Sequence, residues 1–242
     1  MKKVFDIGYN IGAFAKACLE KYPGCEIIGV EANPHLVPKA PSDSLIYTPD
    51  FSTFNKNIQI LNYACSDEDD KEVDFYIESR QPTISTASSE FMKNSRFNQG
   101  NKFISKRSAS WDSAIKVKSV TLDRLIEDYG TPDLIKIDVE GYEYTAIKGL
   151  TSKAKMICFE WHEEGFDDAI KILDHLESLN YKEYGVIGYF EEDIPSTITY
   201  SEQGDPYLEI PTSFCTKSET MSALGGLIKP DRRVNFGMIY AK

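Results

Sequence analysis

The sequence of 242 residues contains no run of eighteen apolar residues, which excludes a predicted membrane-spanning helix. Its start, Met1-Lys2-Lys3-Val4-Phe5, lacks the charged lead, apolar block and cleavage site of a secretory leader, so a cytoplasmic protein is expected. Cysteine is sparse. Cys18, Cys25, Cys65, Cys158 and Cys215 are five in number, with no C-x-x-C pair, which argues against both a disulfide framework and a zinc knuckle. Positive charge is also short: 27 Lys and Arg stand against 38 Asp and Glu, giving a net charge of −11. A general nucleic-acid binder needs a basic face for phosphates, so nucleic acid is not an expected partner. The dinucleotide pattern Gly-x-Gly-x-x-Gly is missing as well, which argues against a nicotinamide-dependent oxidoreductase.

What is present fits one α/β domain over residues 1–242. The apolar fraction of 41% suits a soluble globule, and α/β folds often reach this length without dividing. Apolar and β-branched runs predict strands over 3–7, 26–31, 58–65, 72–77, 117–120, 133–139, 155–161, 181–187 and 234–240. Helices are predicted over 11–21, from a Thr121 cap to Gly130, over 142–149 and over 166–179. Strands alternating with helices imply a doubly wound, mostly parallel, Rossmann-like sheet.

The first chemical feature is Asp6-Ile7-Gly8-Tyr9-Asn10-Ile11-Gly12, directly after the first strand. Gly8 permits a tight turn, Gly12 permits a ligand to approach the backbone, and the helix starting near Ile11 offers free N–H groups to an anionic group. Glu31 ends the second strand about 20 residues on, where such folds place an acid against a ribose. The Gly-x-x-x-Gly spacing with a preceding acid, Asp6, points to S-adenosylmethionine, whose zwitterionic methionine needs a carboxylate site and a partner for its ammonium.

The second feature is Leu134-Ile135-Lys136-Ile137-Asp138-Val139-Glu140-Gly141. Alternation puts Lys136, Asp138 and Glu140 on one strand face, the last two at the carboxyl rim where ligands of such sheets bind. Glu160 and His162 repeat the pattern on the next strand. A third feature is the segment from Ser79 to Ser113, in which Arg80, Lys93, Arg96, Lys102, Lys106 and Arg107 face only Glu90 and Asp112, a local charge of +4 in an acidic chain. Rich in Ser and Asn and weakly periodic, it is expected to be a long loop or a broken helical insertion, either a solvated surface loop or a lid.

Asp6-Ile7-Gly8-x-Asn10-Ile11-Gly12, Glu31-Ala32-Asn33-Pro34, Asn62-x-Ala64-x-Ser66-Asp67, Val120-Thr121-Leu122-Asp123 and Lys136-Ile137-Asp138-Val139-Glu140-Gly141-x-Glu143 occur in this order, and together they resemble the FkbM family of methyltransferases. Beyond Trp161 the likeness is one of layout. The resemblance implies a class I methyltransferase sheet of seven strands, with the closing strand antiparallel beside its predecessor. It also implies S-adenosylmethionine as the cofactor and a hydroxyl of a sugar, glycan or related small metabolite as the methyl acceptor. Carried over, Asp6, Gly8, Asn10 and Gly12 cradle the methionine part, Glu31 holds the ribose, Ala64 and Cys65 border the adenine, and Asp138 lies beside the sulfonium. Tyr9 and Ala32 belong to the same site but depart from the family pattern, Tyr9 where a small residue is common and Ala32 where a proline is common. Members often carry a leading segment over the cofactor. Here that cover is expected from Ser79 to Ser113 or from a partner subunit, which leaves room for a homo-oligomer.

Methyl transfer to a hydroxyl needs an oxygen held in line with the methyl and a base for its proton. Asp138, tuned by Lys136 and Glu140, or His162 can serve, with Glu160 beside them. His35 and His175 are expected to be structural. A magnesium ion held by Asp138, Glu140, Glu160 and His162 is the alternative, ranked behind a metal-free route. A chain that binds S-adenosylmethionine only as an assembly partner is a further alternative. The basic segment points to an anionic acceptor, positioned by Arg96, Lys102, Lys106 and Arg107.

Overall fold

The computed structural model describes residues 1–37, 55–98, 109–188, 198–200, 210–228 and 236–242. Eight strands form the main sheet: β1 (Lys3–Ile7), β2 (Glu26–Val30), β3 (Ile58–Leu61), β7 (Leu134–Ile137), β8 (Ile157–His162), β9 (Tyr184–Gly188), β10 (Ile198–Tyr200) and β11 (Phe236–Ala241). They lie in the order β10-β9-β11-β8-β7-β1-β2-β3. All neighbours are parallel except β11, which runs antiparallel between β8 and β9. The seven expected strands are therefore in place, and β10 extends the edge beside β9.

The central strands are buried on both faces, as parallel strands covered by helices must be. On one face α1 (Ala13–Lys21) packs Phe14, Ala15, Cys18 and Leu19 against Val4, Ile27 and Leu134. The other face is covered by α3 (Leu122–Tyr129), α4 (Glu143–Lys148), α5 (Phe166–Ser178) and α6 (Lys217–Leu227) around Phe5, Ile135, Ile137 and Phe159. Thr121 caps α3 as expected, its hydroxyl accepting from the Arg124 N–H at 3.1 Å. None of the helices in the described residues is long and apolar enough to cross a membrane.

Two departures from the sequence expectation shape the site. The predicted strand 58–65 is two strands: β3 in the main sheet, then β4 (Ala64–Cys65) in a second sheet ordered β4-β6-β5. Between them the Asn62 amide donates to the carbonyls of Glu31 at 2.8 Å and Ala32 at 3.1 Å, turning the chain away from β2. The other members of that sheet, β5 (Glu72–Ile77) and β6 (Ser113–Val120), bury one face only, through Phe75, Ile77 and Val117. Their half-polar alternation fits an antiparallel pair with one open face, not a central parallel strand.

In its described residues, 79–98 and 109–113, the insertion matches the broken helical alternative rather than a bare loop. It contains a 3₁₀ turn at Pro82–Ile84 and a short helix, α2 (Ser89–Asn94), capped by the Ser88 hydroxyl, which accepts from the Phe91 N–H at 3.0 Å.

Candidate active site

The turn after β1 is built by glycine. Gly8 has φ +79°, and a side chain there would overlap the carbonyl oxygen of Asp138, so only glycine lets the ends of β1 and β7 approach. The N–H groups of Gly8 and Tyr9 both donate to Val30, at 2.9 and 3.0 Å, which ties the turn to the end of β2. Gly12, at φ +76°, caps α1, so the helix begins two residues later than expected, at Ala13. Asn10 follows the turn at φ 51°, and its N–H donates to Glu31 Oε2 at 2.7 Å, while the Asn33 N–H donates to Glu31 Oε1 at 2.7 Å. Glu31 is therefore held at both carboxylate oxygens by backbone, with lone pairs left for a ligand. Burial raises its pKa to about 6, against the opposing pull of those two N–H groups.

A cavity of about 250 Å³ opens over these turns. Of the expected site residues, Gly8, Tyr9, Asn10, Glu31, Ala32, Ala64, Cys65, Lys136 and Asp138 line it. Asp6, Gly12, Glu160 and His162 stand outside the lining. Asp6 is fully buried one layer behind, its Oδ1 3.3 Å from Lys136 Nζ, so it meets the cavity through that lysine. The far wall is Tyr63 between β3 and β4, Phe75 of the second sheet, Pro82, Thr83, Ser85 and Ala87 of the insertion, from which cover was expected, and Tyr142 of the β7–α4 loop. The insertion thus covers the cavity. The individual wall residues were not singled out: the alternation of β5 was the available signal for Phe75, and within the expected cover of Ser79 to Ser113 none marked Pro82 to Ala87 in particular.

Lys136 organises the charges. Its ammonium donates to the Gly8 carbonyl at 3.1 Å and lies 3.6 Å from Asp138 Oδ2 as well as beside Asp6. Burial works against that ammonium, but the carboxylates of Asp138 and Asp6 outweigh it and hold its pKa above the usual lysine value. Burial raises Asp6 to about 6, with Lys136 pulling the other way.

Glu140 does not continue the strand alternation. β7 ends at Ile137, and the chain then turns through Glu140 at φ 54° and Gly141 at φ +83°. This turn still brings Glu140 to Asp138 and Glu160, with one oxygen of each within 4.8 Å of the others. Burial, and then the charge of Asp138, push Glu140 and Glu160 well above the ordinary carboxylate range. Glu143 reaches about 7 through burial, although its Oε1 accepts from the N–H groups of Val139 at 2.9 Å and Gly141 at 3.3 Å.

His162 is buried at the end of β8, and its pKa is lowered to about 4, chiefly by desolvation, with Glu164 opposing. Neither ring nitrogen has a hydrogen-bond partner. His35 is exposed, and the His175 ring meets the Leu150 carbonyl at 2.9 Å. Arg96 is not the open steering charge expected of it. It is buried, with its N–H and Nε both on Glu164 Oε1, at 2.9 and 3.1 Å, and its guanidinium over the rings of Phe97 and Phe236. Lys102, Lys106 and Arg107 lie outside the described residues.

The glycine cradle and the anchored acid just after β2 open on one cavity, with Asp138 on its wall, an arrangement that suits a nucleotide-bearing cofactor. The family model described as "Methyltransferase FkbM domain" matches residues 6–183, most of the chain and all of this cradle. The chain belongs to the FkbM methyltransferase family. S-adenosylmethionine is accordingly its cofactor, and the residues present fit it: an unpartnered buried Asn10 Oδ1, the Glu31 carboxylate and the Gly8 turn all border the cavity.

Among solved structures, the chain is similar to methyltransferase FkbM from Methylobacillus flagellatus at 15% identity and a TM-score of 0.47, covering 76% of this chain and 39% of that one. It therefore spans well under half of that protein's length. Precorrin-6y C5,15-methyltransferase from Geobacter metallireducens is similar at 11% identity and a TM-score of 0.43, covering 100% of this chain and 79% of that one. A methyltransferase from Archaeoglobus fulgidus, described as dependent on S-adenosylmethionine, gives 12% identity, a TM-score of 0.37 and coverages of 100% and 86%. No curated protein matches.

Proposed function

We propose that this FkbM protein is an O-methyltransferase that methylates a hydroxyl of a sugar, glycan or related small metabolite, with Asp138 receiving the hydroxyl proton. The observation that carries this reading is the position of Asp138, on the wall of the cavity that also contains Glu31, with Lys136 Nζ 3.6 Å from its carboxylate. S-adenosylmethionine, when bound, supplies a methyl carbon activated by a sulfonium. Gly8 and Asn10 shape the backbone that receives it, and Glu31 accepts from ribose hydroxyls. Asp138 orients the acceptor oxygen and takes its proton as that oxygen attacks. Lys136 keeps the Asp138 carboxylate in place, tied to the Gly8 carbonyl and Asp6. Pro82 to Ala87 keep water from the cavity, which favours transfer to the acceptor over hydrolysis.

Release of S-adenosylhomocysteine, assayed over a panel of hydroxyl-bearing sugars, nucleotide-linked sugars and phosphorylated glycans, tests this reading. Acceptor-dependent release that depends on Asp138 supports it. Tight S-adenosylmethionine binding with no transfer to any hydroxyl would favour the assembly-partner role.

A second reading has its own observation. Asp138, Glu140 and Glu160 bring three carboxylate oxygens within 4.8 Å, a donor set suited to a hard divalent cation that polarises a diol. Activity abolished by a chelator and restored by magnesium would put this route first.

A further inference from the structure

Phe91 stands behind one wall of the cavity. That wall includes Asp138, Val139, Glu140 and Tyr142, and Gly141, between the last two and itself outside the lining, carries the Phe91 ring. A Cβ on Gly141 would come within 2.7 Å of that ring, so the glycine, already at φ +83°, is what allows the ring to seat. The same ring meets His162, at 5.5 Å between centroids and 51° between planes. Trp111 stands edge-on to it at 6.4 Å and Phe97 is tilted at 6.0 Å. The segment bearing Phe91 is pinned to the same loop, because the Thr86 hydroxyl donates to the Glu140 carbonyl at 2.7 Å. His162 is 6% exposed under this cover and outside the cavity lining; neither ring nitrogen has a hydrogen-bond partner, and Nδ1 lies 3.9 Å from Glu164 Oε2.

We propose that Phe91 is a specificity-determining residue that walls His162 off from the cofactor cavity, so that Asp138 is the proton acceptor an incoming hydroxyl meets. The side chain sets how far an acceptor can reach past Asp138. A smaller residue would join the space around His162 and Glu160 to the cavity and admit bulkier acceptors. The inference rests on the reading of Asp138 as the base, but the wall itself can be tested without turnover.

Diethyl pyrocarbonate is the probe, because it acylates neutral imidazoles that solvent reaches. The chain has three histidines, which grade themselves: His35 exposed, His175 half-buried and His162 buried. Peptide mass spectrometry of the modified protein reads all three at once. In the wild type His162 should react slowest. Phe91→Ala should speed His162 modification roughly tenfold or more, with His35 and His175 unchanged, while Phe91→Leu keeps most of the protection. Faster reaction at His175 would flag unfolding, and Phe91→Val is then read in place of the alanine variant. If His162 stays as protected in the folded alanine or valine variant as in the wild type, other side chains seal it and the proposal fails. Independently, Asp138→Asn assays decide the reading of the base. A released His162 together with an Asp138→Asn variant of full activity would leave the wall standing and remove the base.

Discussion

Tyr9 rests on Gly29. Any side chain at Gly29 would run into the Tyr9 ring, and the tyrosine, 4% exposed, fills the gap that β2 leaves by carrying no side chain at that point. A bulky residue at this turn would be expected to crowd the cofactor. Here the ring turns into the core beside Phe14 and Ile27, and the cavity remains open above it. The departure from a small residue at position 9 is thus matched by a missing side chain one strand away.

That match predicts strong coupling between the two positions. Gly29→Ala should cost about 1–3 kcal/mol through overpacking, and Tyr9→Ala about 3–5 kcal/mol through the cavity it leaves. In the double variant the alanine methyl at 29 has room, so the combined loss should be smaller than the sum. Urea unfolding of the four proteins checks this. Additive losses would show that the ring and the glycine do not share one space.

Glu31 gives the cofactor prediction. Glu31→Ala should weaken S-adenosylmethionine binding by about 1–3 kcal/mol, the range for hydrogen bonds to a charged acceptor. Glu31→Gln retains one acceptor oxygen for Asn10 or Asn33 and should lose less. Titration calorimetry measures both, and unchanged affinity in the alanine variant would remove Glu31 from the ribose.

Stability should depend on pH in a direction set by burial. Asp6 and Glu31 at about 6 and Glu143 at about 7 all lie above their ordinary values of 3.8, 4.5 and 4.5. Their contribution is fully present below those ordinary values and is lost as pH rises through 6 to 7. His162 works oppositely, since its lowered pKa of about 4 favours the fold above 6.5 and penalises it as pH falls toward 4. Three carboxylates outweigh one imidazole over the neutral range. The cofactor-free protein should therefore be more stable at about pH 5.5 than at about pH 8 in chemical denaturation, and Glu31→Gln should flatten that slope. A slope of opposite sign would mean that these acids are better solvated or better paired than their burial implies.

The chemistry prediction centres on Asp138. Asp138→Asn should lower kcat by about 10²- to 10⁴-fold, the usual worth of a positioned general base, with the melting temperature and S-adenosylmethionine affinity little changed. His162→Ala should cost much less turnover because Phe91 covers the ring. The reverse ranking in a turnover assay would transfer the proton to His162.

Much of this site was legible in the sequence because it depends on local pattern. Strand periodicity placed Lys136 and Asp138 together, and a glycine pair after β1 with Glu31 at the end of β2 marked the cradle. Other parts depend on contacts that no local pattern encodes. Glu140 reaches Asp138 through two residues at positive φ, not through strand alternation. Asp6 recedes behind Lys136 because β1 is buried on both faces. The cover from Pro82 to Ala87 exists because β4, β5 and β6 leave the main sheet, a choice made by Asn62 and by the one-faced burial of the hairpin.

The basic segment yields the last prediction, and Arg96 divides it. Its guanidinium and N–H are committed to Glu164, so Arg96→Ser removes one member of a buried pair and should destabilise the protein by about 3 kcal/mol. Lys102, Lys106 and Arg107 are the other three cations assigned to the acceptor, and toward an anionic acceptor they should act by steering and positioning. Replacing these three with serine should raise the apparent KM for an anionic acceptor, most clearly at low ionic strength, because salt screens long-range steering. S-adenosylmethionine affinity and melting temperature should stay close to wild type in that triple variant. An unaltered KM at low salt would mean that the segment serves as cover only, and that the acceptor is recognised by the acidic wall of Asp138 and Glu140, which favours a neutral or cationic molecule.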